Sequence, residues 1–361
     1  MDDVISLGIG EPDFVTPEPI IKAGIRSLEA GETHYTSNSG ILELRQAISD
    51  YLQSHHEVEY NPETEIIVTV GVSEALYLAM TAILNPGDEV IVPQPCFVSY
   101  EAEVSFAGGV PVAVNTRAED EWQLTAEQLE AAITPRTRAL LIGYPNNPTG
   151  AVMNRQRLID IARLAQKHDL LVISDEIYAR LVYTEEHTCF PLLPGMRERT
   201  ILLQGLSKSH AMTGWRVGFA AAPPEILGAM RKVHQYTIMS APTVAQYAAL
   251  EALKNGEPFV QEMVKEYNRR RKVMFKAFNS MGMPTVEPKG AFYVFPKVTH
   301  LGMSAAEFCE KLLYEEKVAV VPGGAFGQSG AEHVRACYAT SMEEIEEAMV
   351  RIGRFVEKYA E

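Results

Sequence analysis

The chain has 361 residues, 47% hydrophobic and 22% charged, with a net charge of −15 at pH 7. Such a composition is expected of a soluble globular protein, and the length suggests two or three domain-sized units around a large core. The acid excess repels a phosphate backbone and leaves no polybasic patch for an anionic bilayer, so neither nucleic acid nor membrane is an expected partner.

Residues Met1–Glu11 carry no basic stretch followed by a long apolar one, so no secretory signal is expected. No apolar run reaches the length of a membrane span, and the expected compartment is the cytoplasm. Beyond this point apolar runs come at regular intervals: Ile66–Val70, Val90–Pro93, Val110–Val114, Ala139–Tyr144, Leu170–Ser174, Ile201–Leu203 and Val217–Ala222. Amphipathic stretches separate them. Near-continuous Val/Ile/Leu runs of this length predict strands buried on both faces of a largely parallel sheet. Thr125 with Gln128, Ser304 with Glu307 and Ser341 with Glu344 have the spacing of helix capping boxes. After Glu257 the pattern changes. A polar helical stretch from Val260 to Met281 carries Arg269, Arg270 and Arg271, which are expected to face water. Strand-like pieces follow at Ala291–Pro296, Val318–Val321 and Val334–Tyr338. A last helix shows Ile345, Met349, Ile352, Val356 and Tyr359 on one face. The expected fold is α/β: a large domain with a mostly parallel sheet flanked by helices, residues 31–256, and a smaller α+β domain, residues 1–30 with 257–361. Cys96, Cys189, Cys309 and Cys337 show no C-x-x-C spacing and read as reduced packing residues. The histidines, His55 and His56 included, give no metal-ligand spacing.

In such sheets ligands bind beyond the carboxyl ends of the strands, so the polar residues there deserve the closest reading. The first strand runs into Gly71-Val72-Ser73-Glu74, a glycine turn at a helix start that presents free N–H groups to an anion. A later strand meets Pro145-Asn146-Asn147-Pro148-Thr149-Gly150, a rigid turn with two side-chain amides. Asp175 follows four apolar residues, with Tyr178 close behind; a carboxylate so placed needs a cation or several donors, or else caps a helix. Lys208 lies in G-L-S-K-S-H-A-M-T-G-W-R-V-G, Gly205 to Gly218, between two apolar runs. A lysine near a strand end is ordinarily solvated. A desolvated one has a lowered pKa and can form a Schiff base with an aldehyde. Arg216, eight residues on, is a fixed charge suited to a phosphate. An aldehyde that carries a phosphate describes pyridoxal phosphate.

With these pieces in this order, the chain resembles the class I aminotransferases of the fold-type I pyridoxal phosphate family over essentially its whole length. The likeness rests on the lysine segment, on L-G-I-G-E-P-D-F (Leu7–Phe14), H-Y-T-S-N-S-G (His34–Gly40), Y-P-N-N-P-T-G (Tyr144–Gly150) and V-R-A-C-Y-A-T (Val334–Thr340). Within the family it is most similar to enzymes for aromatic amino acids or N-acetyl-LL-diaminopimelate. The resemblance implies that Lys208 forms the Schiff base and then shuttles the proton, and that Asp175 pairs with the pyridine nitrogen. Tyr178 and Asn147 meet the phenolic oxygen, and Phe97 stacks on the ring. Arg216, Ser207 and the Gly71, Val72 and Ser73 turn hold the phosphate. Tyr35 reaches the site of a neighbouring copy in a homodimer. Arg335 grips the substrate carboxylate with help from the Gly10 backbone. Two departures stand out: Gly205 replaces a hydroxyl residue common three before the lysine, and a leading segment that relatives often carry is expected to be absent. Ser73 stands where some aspartate-handling relatives have lysine, which favours an aromatic or bulky 2-amino acid donor, with N-acetyl-LL-diaminopimelate equally open and 2-oxoglutarate as acceptor. The competing expectations are an aspartate-type aminotransferase, a C–S β-lyase on the same fold, and, last, a non-enzymatic regulator that keeps the cofactor site.

Overall fold

The computed structural model describes residues 3–184 and 186–360. Twelve strands and eleven α-helices are found among them. In chain order the strands are β1 (Ile5–Ser6), β2 (Ile66–Thr69), β3 (Glu89–Gln94), β4 (Val110–Asn115), β5 (Thr137–Gly143), β6 (Leu171–Asp175), β7 (Thr200–Gly205), β8 (Gly218–Ala221), β9 (Tyr293–Val294), β10 (Val318–Ala319), β11 (Val321–Pro322) and β12 (Val334–Cys337). The helices are α1 (Glu18–Glu29), α2 (Leu42–His56), α3 (Gly71–Ile83), α4 (Ser99–Phe106), α5 (Ala126–Ala132), α6 (Arg155–Lys167), α7 (Pro224–Thr237), α8 (Thr243–Asn255), α9 (Glu257–Ser280), α10 (Ala305–Glu316) and α11 (Met342–Tyr359).

Seven strands form one sheet in the order β2-β8-β7-β6-β5-β3-β4, parallel except for β8, which runs against both β2 and β7. The alternation of side chains along each strand splits the core in two. Ile67, Val90, Val92, Leu141, Ile173 and Leu203 pack against α3, α4 and α7. Ile66, Val68, Leu202 and Phe219 face α2 and α8, and Leu140, Ile142 and Val172 face α6. The double-sided burial expected for every strand fails at β4, whose residues are mostly exposed or half-buried. It is the edge strand, and its apolar run is covered on one side only.

The remaining strands are short. β11, β12 and β9 make an antiparallel three-stranded sheet, and β1 lies parallel to β10. The expected strand 318–321 breaks at Val320, its first half pairing with β1 and its second with β12. The expected strand 291–296 shrinks to β9. Around them α9, α10 and α11 close a separate apolar cluster. Thr125 and Gln128 form the full reciprocal capping box, while Ser304 and Ser341 each accept the N–H three residues on. Of the four free cysteines, Cys96, Cys189 and Cys337 are buried and Cys309 is half-buried.

The Arg269–Arg271 triplet departs from expectation. Only Arg269 faces water. Arg270 is buried against Asp13 (2.8 Å) and Glu266 (2.9 Å), and Arg271 against Glu287 (2.7 Å) and the Pro288 carbonyl (2.9 Å). Consecutive helical residues are about 100° apart, so three in a row cannot share one face. Burial of the two inner guanidiniums is offset by Asp13 and Glu287 from outside α9 and by Glu266 one turn earlier on it.

Candidate active site

The carboxyl ends of β6 and β7, the start of α3 and the segment Ile9–Glu11 converge on a cavity of about 550 Å³. Its floor is Asp175, the last residue of β6, only 6% exposed. One carboxylate oxygen accepts the Tyr100 hydroxyl at 2.8 Å and the other the Ile177 N–H at 3.2 Å. Burial pushes the carboxyl up to about 6, against the pull of the Tyr100 hydrogen bond. No cation among the described residues forms an ion pair with it, although a buried carboxylate calls for one. Tyr100 was not singled out in the sequence. Its hydroxyl crosses Gly143 of β5, where any Cβ would overlap it. The available signal was its position three residues after Phe97, which shares the cavity wall.

Lys208 sits in the turn after β7, half-buried, with its Nζ donating to the Gly10 carbonyl at 2.7 Å. Burial pulls its amine down to about 8. That makes a neutral, nucleophilic amine available near neutral pH.

At one end of the cavity three glycines bring backbone close to backbone. Gly71 has φ +74°, and a Cβ on Gly218 would lie 2.8 Å from the Gly71 carbonyl carbon and the Val72 nitrogen. Gly205 pairs with Gly218, whose Cα would be 3.1 Å from a Cβ at 205. A hydroxyl-bearing side chain at 205 would press on that contact, a physical reason for the departure noted in the sequence. No side chain among the described residues caps α3, and Val72 and Ser73 of its first turn line the cavity. The Arg216 guanidinium lies over Gly71 and is held by the Thr213 carbonyl at 3.0 Å. Ser207, 7% exposed, completes this end. Helix N–H groups, a hydroxyl and an exposed arginine suit a phosphate. Beneath the turn, Glu74 accepts the Val70 N–H at 2.5 Å and pairs with buried His234 at 2.6 Å. Neither residue carried a readable signal, because they lie 160 positions apart.

At the other end Arg335, on β12 and 8% exposed, donates to Asn147 Oδ1 (2.9 Å) and to the Gly8 carbonyl (2.6 Å). The rings of Tyr293 and Phe326 lie 4.6 and 4.8 Å from its guanidinium carbon. Its Nε is buried and has no partner among the described residues. Tyr178 shares a hydrogen bond of 2.7 Å with Tyr293, and burial holds its phenol well above the ordinary value, so it remains a donor. Gly10 must be glycine, because a Cβ would overlap the Tyr293 hydroxyl.

Of the residues picked from the sequence, Gly10, Val72, Ser73, Phe97, Asn147, Asp175, Tyr178, Ser207, Lys208, Arg216 and Arg335 line this one cavity, and Gly71 touches Arg216. Tyr35 does not join them; it stands 81% exposed on the surface. Tyr100, Tyr293 and Phe326 were missed. No group of three or more His, Cys, Asp or Glu side chains among the described residues could hold a metal ion.

An α/β sheet that aims a desolvated lysine, a buried acid without a cation and an anion-binding turn into one cavity defines a pyridoxal phosphate-dependent transferase. The family model for aminotransferase class I and II matches residues 2–352, and the chain belongs to that family. It is 48% identical to an aspartate aminotransferase of Pyrococcus abyssi, over 98% of this chain and 92% of that one. It is 46% identical to aromatic-amino-acid aminotransferase 2 of Thermococcus litoralis, over 99% and 93%. The solved aromatic aminotransferase of Pyrococcus horikoshii superposes with a TM-score of 0.97 at 48% identity, covering 99% of this chain and 97% of that one. The protein is thus a pyridoxal phosphate-dependent aminotransferase.

Proposed function

We propose that the chain moves the amino group of an aromatic or otherwise bulky 2-amino acid to 2-oxoglutarate, with Lys208 as the proton-carrying base. The observation that carries this reading is the Arg335 guanidinium, held through its two Nη atoms in the wall of the same cavity as Lys208 and Asp175. A fork of donors fixed by Asn147 and Gly8 suits one planar carboxylate. Among the described residues, Lys208, Arg216 and Arg335 are the only cations in that wall, and each has a task, so none of them is left for a second carboxylate on the donor. Exposed Ile9 and Val98, with Val321 and Phe326, offer apolar surface to a side chain instead. The distal carboxylate of 2-oxoglutarate then has to meet neutral donors or a neighbouring copy.

The α3 turn, Ser207, Arg216, Tyr178, Asn147 and Asp175 would hold the cofactor, which when bound would supply an electron sink for charge developing at the substrate α-carbon. Asp175 would keep a pyridine nitrogen bound beside it cationic, because a desolvated carboxylate gains most from an adjacent positive charge. Tyr178 donates from a phenol that stays protonated. Phe97 fixes the ring plane. Arg335 orients the carboxylate so that the α-hydrogen faces Lys208. Lys208 Nζ, whose lowered pKa leaves a neutral fraction near neutral pH, would take that proton and return it two bonds away.

We further propose that residues 31–256 form the cofactor domain and residues 1–30 with 257–361 the smaller one. A homodimer in which Tyr35 reaches the partner's site, and a cytoplasmic location, complete the reading. A donor panel against 2-oxoglutarate with purified holoenzyme tests the function. Tyrosine or phenylalanine should give the highest kcat/KM, with glutamate as product. A preference for aspartate or N-acetyl-LL-diaminopimelate would overturn the aromatic donor. Pyruvate, ammonia and thiol from a cysteine conjugate, without glutamate, would overturn transamination.

A further inference from the structure

The turn that opens α3 is braced from beneath by Glu74 and His234, which have no part in the chemistry described above. Glu74 lies in the first turn of α3, its side chain 9% exposed. One carboxylate oxygen accepts the Val70 N–H at 2.5 Å, and the other lies 2.6 Å from Nδ1 of His234. His234 stands on α7, which shares an apolar cluster with α3 through Leu76, Met80, Leu227 and Met230. Its ring is fully buried, and its Nε2 has no partner among the described residues. An imidazole with one nitrogen left unpaired is a costly way to fill space that an apolar side chain would fill without loss. What the ring supplies is its contact with Glu74.

The backbone so braced is the one that would offer N–H groups to an anion. Val70 precedes Gly71, whose φ of +74° turns the chain into the helix. The buried Thr69 hydroxyl donates to the Gly71 carbonyl at 2.9 Å. A trans peptide sets its C=O and N–H on opposite sides, so this bond turns the Val72 N–H away from Thr69. Thr69 and Glu74 thus hold the peptides on either side of the Val70–Gly71 turn. Val72, Ser73 and Arg216 line the cavity, whereas Glu74 and His234 stay out of its wall. The carboxylate is kept at the positive end of the helix, where an anion is stabilised, without occupying the place of a ligand.

We propose that Glu74 and His234 are positioning residues for the phosphate of the cofactor. His234 holds the Glu74 carboxylate, Glu74 holds the Val70 N–H, and the Gly71 turn keeps the Val72 and Ser73 N–H groups in place for the phosphate beside Arg216. The assignment rests on the reading that the phosphate occupies this end of the cavity. Without the brace the turn relaxes and grips the phosphate less, while Lys208 and Asp175, on other strands, keep their places. The brace acts on the cofactor alone and is indifferent to which amino donor the cavity takes.

Pyridoxal, the same aldehyde without the phosphate, isolates this effect. Pyridoxal phosphate and pyridoxal are each titrated into cofactor-free protein and followed by the absorbance change on binding; the ratio of their Kd values reports the grip on the phosphate. His234→Leu should weaken pyridoxal phosphate about tenfold and pyridoxal less than about twofold. Glu74→Ala, at a helix position that alanine suits, should do the same and decides the matter if His234→Leu does not fold by circular dichroism. His234→Asn, whose amide can donate from near the position of Nδ1, should bring the ratio to within about threefold of the parent. Equal weakening of both ligands would make the pair merely structural and overturn the assignment, as would an unchanged ratio or an asparagine no better than leucine. Arg216→Gln is the control. A ratio lost there but kept in the His234 and Glu74 variants would overturn the brace and leave the phosphate end standing. A ratio kept even there would overturn both.

Discussion

The large sheet and the short-stranded region hold their site residues by different means. Asp175 and the Lys208 turn end strands locked between parallel or antiparallel neighbours, with buried side chains on both faces. Arg335 stands on a four-residue strand between strands of two residues, and its hydrogen-bond partners come from Gly8 and Asn147, each in another segment. One region is a fixed frame for the groups that meet the cofactor. The other brings three separate segments to the carboxylate. Damage to the first should stop the chemistry, while damage to the second should change how tightly substrate is held.

The largest effect is expected at Lys208. Lys208→Ala should lower transamination by roughly 10⁴-fold or more, while the protein stays folded by circular dichroism. Activity within tenfold of the parent would remove Lys208 from its role. Asp175→Asn comes next. The amide keeps the shape but cannot hold a cation, so kcat should fall about 10²-fold or more, with the cofactor-free protein losing little stability because a buried charge is gone. Arg335→Lys tests the other region. A point charge in place of a fork should raise KM for amino acid by about tenfold to a hundredfold and leave cofactor retention nearly unchanged; an unchanged KM would take Arg335 out of the carboxylate site. A smaller effect is expected for Tyr100→Phe. Its hydroxyl lowers the Asp175 pKa, so its loss should push that carboxyl above about 6 in the cofactor-free protein and weaken cofactor binding roughly tenfold.

The same contrast explains what could be read from the sequence. Strand ends on a parallel sheet are marked by apolar runs, so Asp175, Asn147, Lys208 and the Gly71 turn announced themselves. Arg335 was found through its flanking apolar residues, although its strand is too short for a periodic signal. Tyr293 and Phe326 were passed over because they reach the cavity from two-residue and 3-10 segments. Tyr100 looked like any helix-start aromatic until Gly143 revealed the space left for its hydroxyl. Arg270 and Arg271 were misread because a run of like charges suggests a solvated face, whereas Asp13 and Glu287, which pair with them, lie outside the helix. The exposed Tyr35 and the dimer it implies remain a proposal, for which sedimentation of the holoenzyme beside Tyr35→Ala, expected to lose cofactor about tenfold faster, is the test.

The pH behaviour of the cofactor-free protein bears on the same lysine. The neutral amine is the nucleophile, and its fraction rises with pH through about 8 rather than through the ordinary value of 10.5. The rate of cofactor uptake should therefore climb with pH, reach half its maximum near pH 8 and level off about one unit above it. A rate still climbing at pH 10 would mean that burial does not lower the amine.

The most direct measurement is borohydride reduction of the holoenzyme followed by peptide mapping by mass spectrometry. The pyridoxyl group should be found on Nζ of Lys208, in the peptide that spans Gly205 to Arg216. Label on any other lysine, or none after reduction of active enzyme, would contradict the account.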